Sequence, residues 1–224
     1  MTEIVKVLTE DGSHTLFHSG VGEHYHSIHG AIQESMHVFI RAGFSVASER
    51  FDILSVLEVG FGTGLNALLT LEASSRLNIN TIYTTFEPFP LSVDIASSLN
   101  FAETDSLPVS AADFISMHKS ADGELIKINP WFSFRKYLCK LQSGLSPESA
   151  FNLVYFDAFS PEVEPDLWTP VIFQMIRKSM TTGGVLVTYS ARGVVRRILQ
   201  SSGFRVERLP GPPGKREMLR ATAI

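Results

Sequence analysis

The sequence has a single cysteine, Cys139, in 224 residues. That excludes an intrachain disulfide framework and fits a reducing cytosol; with no local signature around it, Cys139 reads as a core or helix-face residue. No apolar run approaches the ~20 residues that a membrane span needs. The first residues, Met1-Thr2-Glu3-Ile4-Val5-Lys6, lack the charged-then-apolar pattern of a signal peptide. A cytoplasmic protein with no membrane partner is expected. Repeats, linkers and low-complexity tracts are missing too, so the length suits one domain with a substantial core. Three histidines crowd Glu23-His24-Tyr25-His26-Ser27-Ile28-His29. No cysteine is near them and they form no helical His-x-x-x-His pair, so no metal is expected. Charge is scarce but uneven. From residue 190 onward, Arg192, Arg196, Arg197, Arg205, Arg208, Lys215, Arg216 and Arg220 face only Glu207 and Glu217, in a chain of net charge −4. A basic C-terminal segment on an acidic body suggests a local anionic partner; the alternative is solvated helix and strand faces.

What is present is organised around one stretch. The apolar run Ile53–Val59 carries one acid, Glu58; glycines follow at 60, 62 and 64, then Leu65, Leu68, Leu69 and Leu71 at helical spacing. This is a buried strand, a tight turn and a helix start. Glycines permit positive φ and let a ligand approach bare main chain, and the helix N-terminus offers unpaired N–H groups. The dinucleotide fingerprint G-x-G-x-x-G fails, because its third glycine would fall at Leu65. The spacing G-x-G-x-G, with an acid two residues before it, resembles motif I of the S-adenosylmethionine-dependent methyltransferases. The resemblance implies S-adenosyl-L-methionine as cofactor, held at Gly60, Phe61, Gly62, Thr63, Gly64 and Asn66, with Glu58 reaching its ammonium directly or through water. The plainer alternative is a glycine turn that only closes a strand–helix corner.

Along the chain, residues 1–18 read as a hairpin turning at Asp11-Gly12. Residues 31–42 read as an amphipathic helix ended by Gly43. Together, residues 1–45 form a small β/helix extension and 46–224 the main domain. A second strand, 81–86, stops at Glu87-Pro88, where an acid is well placed to accept ribose hydroxyls. Residues 91–99 can be a helix and 101–119 are helical in part. The third strand, 125–128, runs into Asn129-Pro130-Trp131-Phe132, where Trp131 or Phe132 could stack on an adenine. Then come strand Phe151–Phe156 ending at Asp157, a proline-stiffened loop, helix 171–180, strand 185–189, helix Gly193–Ser201, strand 204–208 and a last strand 215–221. Alternating strands and helices imply a parallel α/β sheet. The last two strands leave no room for a helix and must be antiparallel. The expected fold is a Rossmann-like, seven-stranded α/β sheet.

Several pieces, in order over nearly the whole chain, resemble the methyltransferase domain of the MnmC-type tRNA-modifying enzymes, in the stand-alone MnmD type. They are Tyr25-His26-Ser27 through Gly30-Ala31, Glu34-Ser35, Val38-Phe39, the stretch Glu58 to Asn66, and Phe86-Glu87-Pro88-Phe89-Pro90-Leu91. The later ones are Tyr155-Phe156-Asp157-Ala158-Phe159-Ser160-Pro161, Pro165-Asp166-Leu167-Trp168-Thr169 and Gly211-Pro212-Pro213-Gly214-Lys215-Arg216-Glu217-Met218. The resemblance implies N-methylation of 5-aminomethyl-uridine, or its 2-thio form, at the tRNA wobble position. Asp157 would orient the amine and accept a proton, with a further role at the cofactor. Tyr25 would cap the same pocket and Phe159 wall it. Arg192, Lys215 and Arg216, with Arg196 and Arg197, would meet RNA phosphates. Glu87 and Pro88 would lie at the cofactor's ribose. Fused relatives add a flavin oxidase domain that prepares the amine. No such domain follows here, so a separate enzyme is expected to supply it. Some relatives also carry an acid after the third strand; Trp131-Phe132-Ser133-Phe134 has none, which leaves the adenine to main chain or Trp131. Two competing expectations stand beside this one: a methyltransferase for a small-molecule amine, and a non-catalytic nucleotide-binding protein.

Overall fold

The structure, a computed structural model, describes residues 3–103, 109–146 and 150–224. Part of the stretch expected to be partly helical, residues 104–108, lies outside the described residues. The chain opens with a small antiparallel sheet of β1 (Ile4–Leu8), β2 (His14–His18) and β3 (Glu23–His24), in that order. The β1–β2 turn is tied down by Asp11, whose carboxylate accepts from Thr9 Oγ1 at 2.7 Å, Ser13 N–H at 3.0 Å and Gln33 N–H at 2.9 Å. The last of these joins the turn to the helix behind it.

That helix runs as Ala31–Ser35, continues as a π-helix over Met36–Phe44 and ends as Ser45–Ser48. Gly43, expected to end the helix near residue 42, lies inside it. A Cβ there would sit 2.9 Å from Val187 Cγ2 and 3.3 Å from Tyr155 Cε1, so glycine serves close approach to the sheet rather than a stop. Val38, Phe39, Ile40 and Phe44 are buried against the central sheet, and the Phe39 and Tyr155 rings lie 5.2 Å apart. The boundary expected at 45/46 falls inside this helical run, which is a layer of the main core.

The central sheet is made of β4 (Ile53–Val59), β5 (Asn80–Phe86), β6 (Leu125–Asn129), β7 (Phe132–Tyr137), β8 (Phe151–Phe156), β9 (Met180–Thr188), β10 (Phe204–Pro210) and β11 (Glu217–Ala223). Their order is β10-β11-β9-β8-β4-β5-β7-β6. β7, β5, β4, β8 and β9 are parallel, and β11 lies antiparallel between β9 and β10, as the short final connection requires. One strand more than the expected seven is present, because the expected third strand is the outer arm of a hairpin. β6 pairs antiparallel with β7, and β7 is the strand that pairs parallel with β5. The signal was there: Phe132-Ser133-Phe134-Arg135-Lys136-Tyr137 alternates buried and half-buried residues with the period of a strand.

Neighbouring side chains of each central strand point to opposite faces. On one face Val56, Tyr83, Phe134, Tyr155 and Val187 meet the helical run and the helix Leu65–Leu77. On the other, Leu57, Phe86, Phe156 and Leu186 meet Phe173, Ile176 and Leu199 from the helices Pro170–Ser179 and Gly193–Ser201. Two covered faces explain why the parallel strands read as continuous apolar runs. Among the described residues, no helix is long and apolar enough to cross a membrane.

Candidate active site

β4 ends in a turn where Gly60, Gly62 and Gly64 have φ of +89°, +49° and +77°. This is the region that L side chains avoid. Neighbours close in as well. A Cβ at Gly60 would lie 3.1 Å from the Asp157 carbonyl oxygen, and one at Gly62 3.0 Å from Tyr25 Cδ1. At Gly64 it would lie 2.9 Å from both His118 Nε2 and Phe61 Cζ. Gly60 and Gly62 border a cavity, whereas Gly64 is packed inside and caps the helix Leu65–Leu77.

Two buried histidines bracket Thr63 in this turn. His26 Nε2 is 2.6 Å from Thr63 Oγ1, and His118 Nε2–H donates to the Thr63 carbonyl at 3.2 Å. Burial pushes both imidazoles down to about 4, with the Lys136 ammonium adding to the effect at His118. They are therefore neutral clamps at pH 7. Lys136, 1% exposed, gives its ammonium to the Met117 and His118 carbonyls at 3.0 and 2.7 Å and lies 5.2 Å from the centre of the Phe61 ring. It secures the last turn of the helix Ala111–Lys119.

The cavity, about 1030 Å³, opens at the C-terminal ends of β4, β5 and β8, the edge where open α/β sheets bind ligands. Glu87 lines it. Its carboxylate accepts the Gly62 N–H at 3.0 Å and the Phe89 N–H at 2.8 Å, bracing the glycine turn from the next strand. Pro88, Phe61 and Thr63 also border the cavity, with Lys140, Leu141 and Gln142 from the chain that follows β7. Trp131, the expected adenine contact, does not. Its carbonyl accepts the Thr81 N–H at 2.8 Å, at the start of β5 and hence at the opposite end of the sheet. Phe132 is core. With β7 following this stretch, the chain reaching the ligand edge is 140–142, not 131–134.

Asp157 stands at the cavity wall. Burial, then the Glu34 carboxylate, push its carboxyl well above the usual carboxylate range. Asn66 Nδ2 donates to Asp157 Oδ2 at 2.7 Å and to Glu58 Oε1 at 3.2 Å. Glu58 is fully buried behind the turn and does not border the cavity, and burial and then Asp157 push its carboxyl up too. The direct arm of the expected Glu58 contact is thus not what the geometry offers. Glu58 reaches the cavity through Asn66 and Asp157. The Thr85 and Tyr83 hydroxyls lie against the Glu58 carboxyl and partly offset the rise.

Tyr25 and Phe159 face each other edge-on with ring centres 5.1 Å apart, and burial pushes the Tyr25 hydroxyl up to about 12. The loop carrying Phe159 is pinned. Its N–H donates to Glu164 Oε2 at 3.2 Å, its carbonyl accepts from Trp168 Nε1 at 2.8 Å, and Ser160 donates its N–H and Oγ–H to Glu23.

The basic residues divide. Arg192, Arg216 and Lys215 line a second cleft of about 940 Å³, together with Arg208, which is not among the expected RNA contacts. Arg192 pairs with Glu162 and Arg208 with Glu217 at the surface. Arg196 and Arg197, expected with them, do not line that cleft. Lys215 turns inward. Its Nζ donates to Glu34 Oε1 at 2.6 Å and lies 4.1 Å from the centre of the Tyr189 ring. Glu164, Tyr189 and His118 are site residues that no motif points to. Glu34 and His26 stand in pieces that carry the family resemblance, Glu34-Ser35 and Tyr25-His26-Ser27, with no role of their own expected.

The S-adenosyl-L-methionine-dependent methyltransferase family matches residues 110–224. The chain is 31% identical to the tRNA 5-methylaminomethyl-2-thiouridine biosynthesis bifunctional protein MnmC of an Azoarcus species, over 94% of this chain and 34% of that protein. It is 27% identical to the protein of the same name from Pseudomonas aeruginosa, over 90% of this chain and 32% of that one. The chain therefore spans about a third of the length of these curated relatives. Among solved structures, MNMC2 from Aquifex aeolicus superposes with a TM-score of 0.79 at 27% identity, covering 99% of this chain and 71% of that one. Spermidine synthase from Thermotoga maritima shares the fold, with a TM-score of 0.63 at 12% identity over 99% of this chain and 69% of the other. A family match over more than half of its length, on a sheet whose glycine turn opens into a cavity at the ligand edge, means that the chain belongs to the S-adenosyl-L-methionine-dependent methyltransferases.

Proposed function

We propose that this enzyme methylates the primary amine of 5-aminomethyl-uridine, or of its 2-thio form, at the tRNA wobble position, giving the 5-methylaminomethyl product. The observation that carries this reading is a single wall. A carboxylate with a raised pKa, Asp157, stands beside an aromatic pair, Tyr25 and Phe159, on the edge of the cavity that the glycine turn shares. The names of the MnmC relatives, which match nearly all of this chain, support the same substrate.

The residues fit S-adenosyl-L-methionine. Left-handed glycines leave bare main chain at the cavity. Glu87, although it accepts two N–H groups, keeps lone pairs for ribose hydroxyls. Residues 140–142 are the wall for adenine. When bound, the cofactor supplies a methyl group on a positively charged sulfur. The protein's own part is to present a neutral amine to that methyl. An alkylamine is mostly protonated at pH 7, so it must lose a proton before it attacks. Asp157 accepts a hydrogen bond from it, and a carboxylate of raised pKa is a better-matched proton acceptor than an ordinary one. Tyr25 and Phe159 form the walls for the flat pyrimidine ring, and positioning accounts for most of the acceleration.

The cleft of Arg192, Arg208 and Arg216 receives backbone phosphates next to the modified nucleotide. The amine-forming step is assigned to chemistry outside these 224 residues, in another part of the same polypeptide or in a second enzyme, and the work is done in the cytoplasm, where tRNA is found. The test is methyl transfer from labelled S-adenosyl-L-methionine to tRNA that carries 5-aminomethyl-uridine, followed by nucleoside analysis. The 5-methylaminomethyl nucleoside is expected. A small amine accepted while this tRNA is refused would sink the proposal.

A further inference from the structure

Lys215 stands at the end of a rigid loop whose geometry leaves it little choice of direction. Its N–H donates to the Pro212 carbonyl at 2.9 Å, and the Gly211 N–H donates to the Arg216 carbonyl at 3.1 Å, closing the loop on itself. Gly214, at φ +82°, lies flat against His29, where a Cβ would fall 2.2 Å from the ring. The Lys215 side chain then enters the wall shared by the main cavity and the basic cleft, and its ammonium lands 2.6 Å from Glu34 Oε1. Glu34 is 6% exposed, and its other oxygen accepts the Ser27 N–H at 2.8 Å. A cation that served only to meet RNA phosphates would point outward, as Arg192 does.

We propose that Lys215 and Glu34 form a paired electrostatic counterweight to Asp157, in which the Lys215 ammonium is the positioning charge that keeps the attacking amine of the substrate neutral. This rests on the amine-methylating function proposed above. The cavity is rich in carboxylates, and a carboxylate-lined pocket favours the protonated, unreactive form of an amine. Several of these acids already bind protein donors: Glu23 holds Ser160, Glu87 holds Gly62 and Phe89, and Glu164 holds Phe159. Among the described residues of the wall, Glu34 is the acid that carries its own cation. Lys215 and Glu34 both act on Asp157 through space, in opposite senses. The other titratable groups on the cavity wall are Asp166, Lys140, Tyr25, Tyr189, His18, His24 and His26, and the cleft side adds Arg192, Arg208, Arg216 and Glu217. In the reaction, the amine lone pair forms the N–CH3 bond as the S–CH3 bond breaks. The positive charge passes from sulfur to nitrogen; the proton of the substrate ammonium leaves before transfer, to Asp157 and from there to solvent, because only the neutral amine carries the lone pair. A like charge fixed nearby favours loss of that proton from the substrate, whereas an unpaired Glu34 would oppose it.

The experiment is the pH profile of single-turnover methyl transfer to tRNA bearing 5-aminomethyl-uridine. Lys215→Met should move the ascending limb to higher pH by about one unit, because Glu34 is left unopposed. Glu34→Gln should move it to lower pH, since the glutamine oxygen still accepts from Ser27 while the Lys215 charge is freed. The double variant should return close to the wild-type position, and Lys215→Arg should keep it. A structural role would lower the rate without moving the two single-variant limbs in opposite directions. Limbs that stay put, or move together, overturn the inference while leaving the enzyme's function intact. Failure of the wild-type chain to methylate this tRNA overturns the functional proposal, and the inference with it.

Discussion

Asn66 Nδ2 donates to Asp157 Oδ2 at 2.7 Å, tying a helix start to a strand end 91 residues later. The same nitrogen reaches Glu58 Oε1 at 3.2 Å, so one neutral amide stands between two buried carboxyls, of which Asp157 pushes up the other. Replacing it with a residue of similar size but no donor, Asn66→Leu, removes that separation. Loss of a hydrogen bond to a charged group costs about 1.5–3 kcal/mol. We therefore expect S-adenosyl-L-methionine affinity to fall roughly 10- to 100-fold by calorimetry, with Asp157 displaced from its place at the wall. Wild-type affinity in the variant would mean that the bridge does not organise the site.

Asp157→Asn separates orientation from proton acceptance. The amide oxygen can still accept from Asn66, so cofactor affinity should stay near the wild-type value. Transfer in a single turnover should fall by about 10²- to 10⁴-fold, the range for losing a general base. A variant that keeps its rate would remove Asp157 from the chemistry.

The glycine turn allows a controlled comparison. Gly62 and Gly183 both have positive φ, +49° and +85°, but a Cβ at Gly62 meets Tyr25, whereas one at Gly183 meets nothing within 4 Å. A left-handed alanine costs about 1–2 kcal/mol, so both Gly62→Ala and Gly183→Ala should lower the melting temperature. Only Gly62→Ala should also weaken cofactor binding, because it pushes on Tyr25 at the cavity wall. Equal cofactor affinities in the two variants would show that the turn acts on stability alone.

Much of this site could be read from the sequence because its signals are local. Motif I is a strand, three glycines and a helix in one unbroken stretch, Glu87 ends a run of β-branched and aromatic residues, and Asp157 ends an apolar run. Trp131 was misplaced for a physical reason. Asn129-Pro130-Trp131 looks like the end of a strand, but it is the turn of a hairpin, and a hairpin turn puts the following strand's ligand edge at the far end of that strand. The inward turn of Lys215 is not legible because its partner, Glu34, lies 181 residues earlier, and no one-dimensional pattern records which way a side chain turns. The two histidine clamps of Thr63 were hidden in the same way, since each comes from a different element. Trp131→Ala should leave cofactor affinity unchanged in calorimetry; a clear loss would return the adenine to that residue.

The clamps also set how the fold responds to acid. The His118 imidazole is pushed down to about 4 in the folded chain, against about 6.5 when free. The unfolded chain therefore takes up this proton first as the pH falls. The stabilisation from keeping His118 neutral is complete above about 6.5, shrinks as the pH drops toward about 4, and is gone below that, at a cost on the order of 3 kcal/mol. Asp157 and Glu58 work in the opposite sense. Their carboxyls are raised in the folded chain, so folding holds their protons and gains stability as the pH falls. The net curve of the wild-type chain mixes these contributions, and only a difference isolates the histidine. In His118→Gln the amide can still donate to the Thr63 carbonyl, but nothing at that position titrates. Urea unfolding between pH 6.5 and 4 should show the wild-type chain losing more stability than the variant. Parallel curves would mean that His118 is not held neutral by burial.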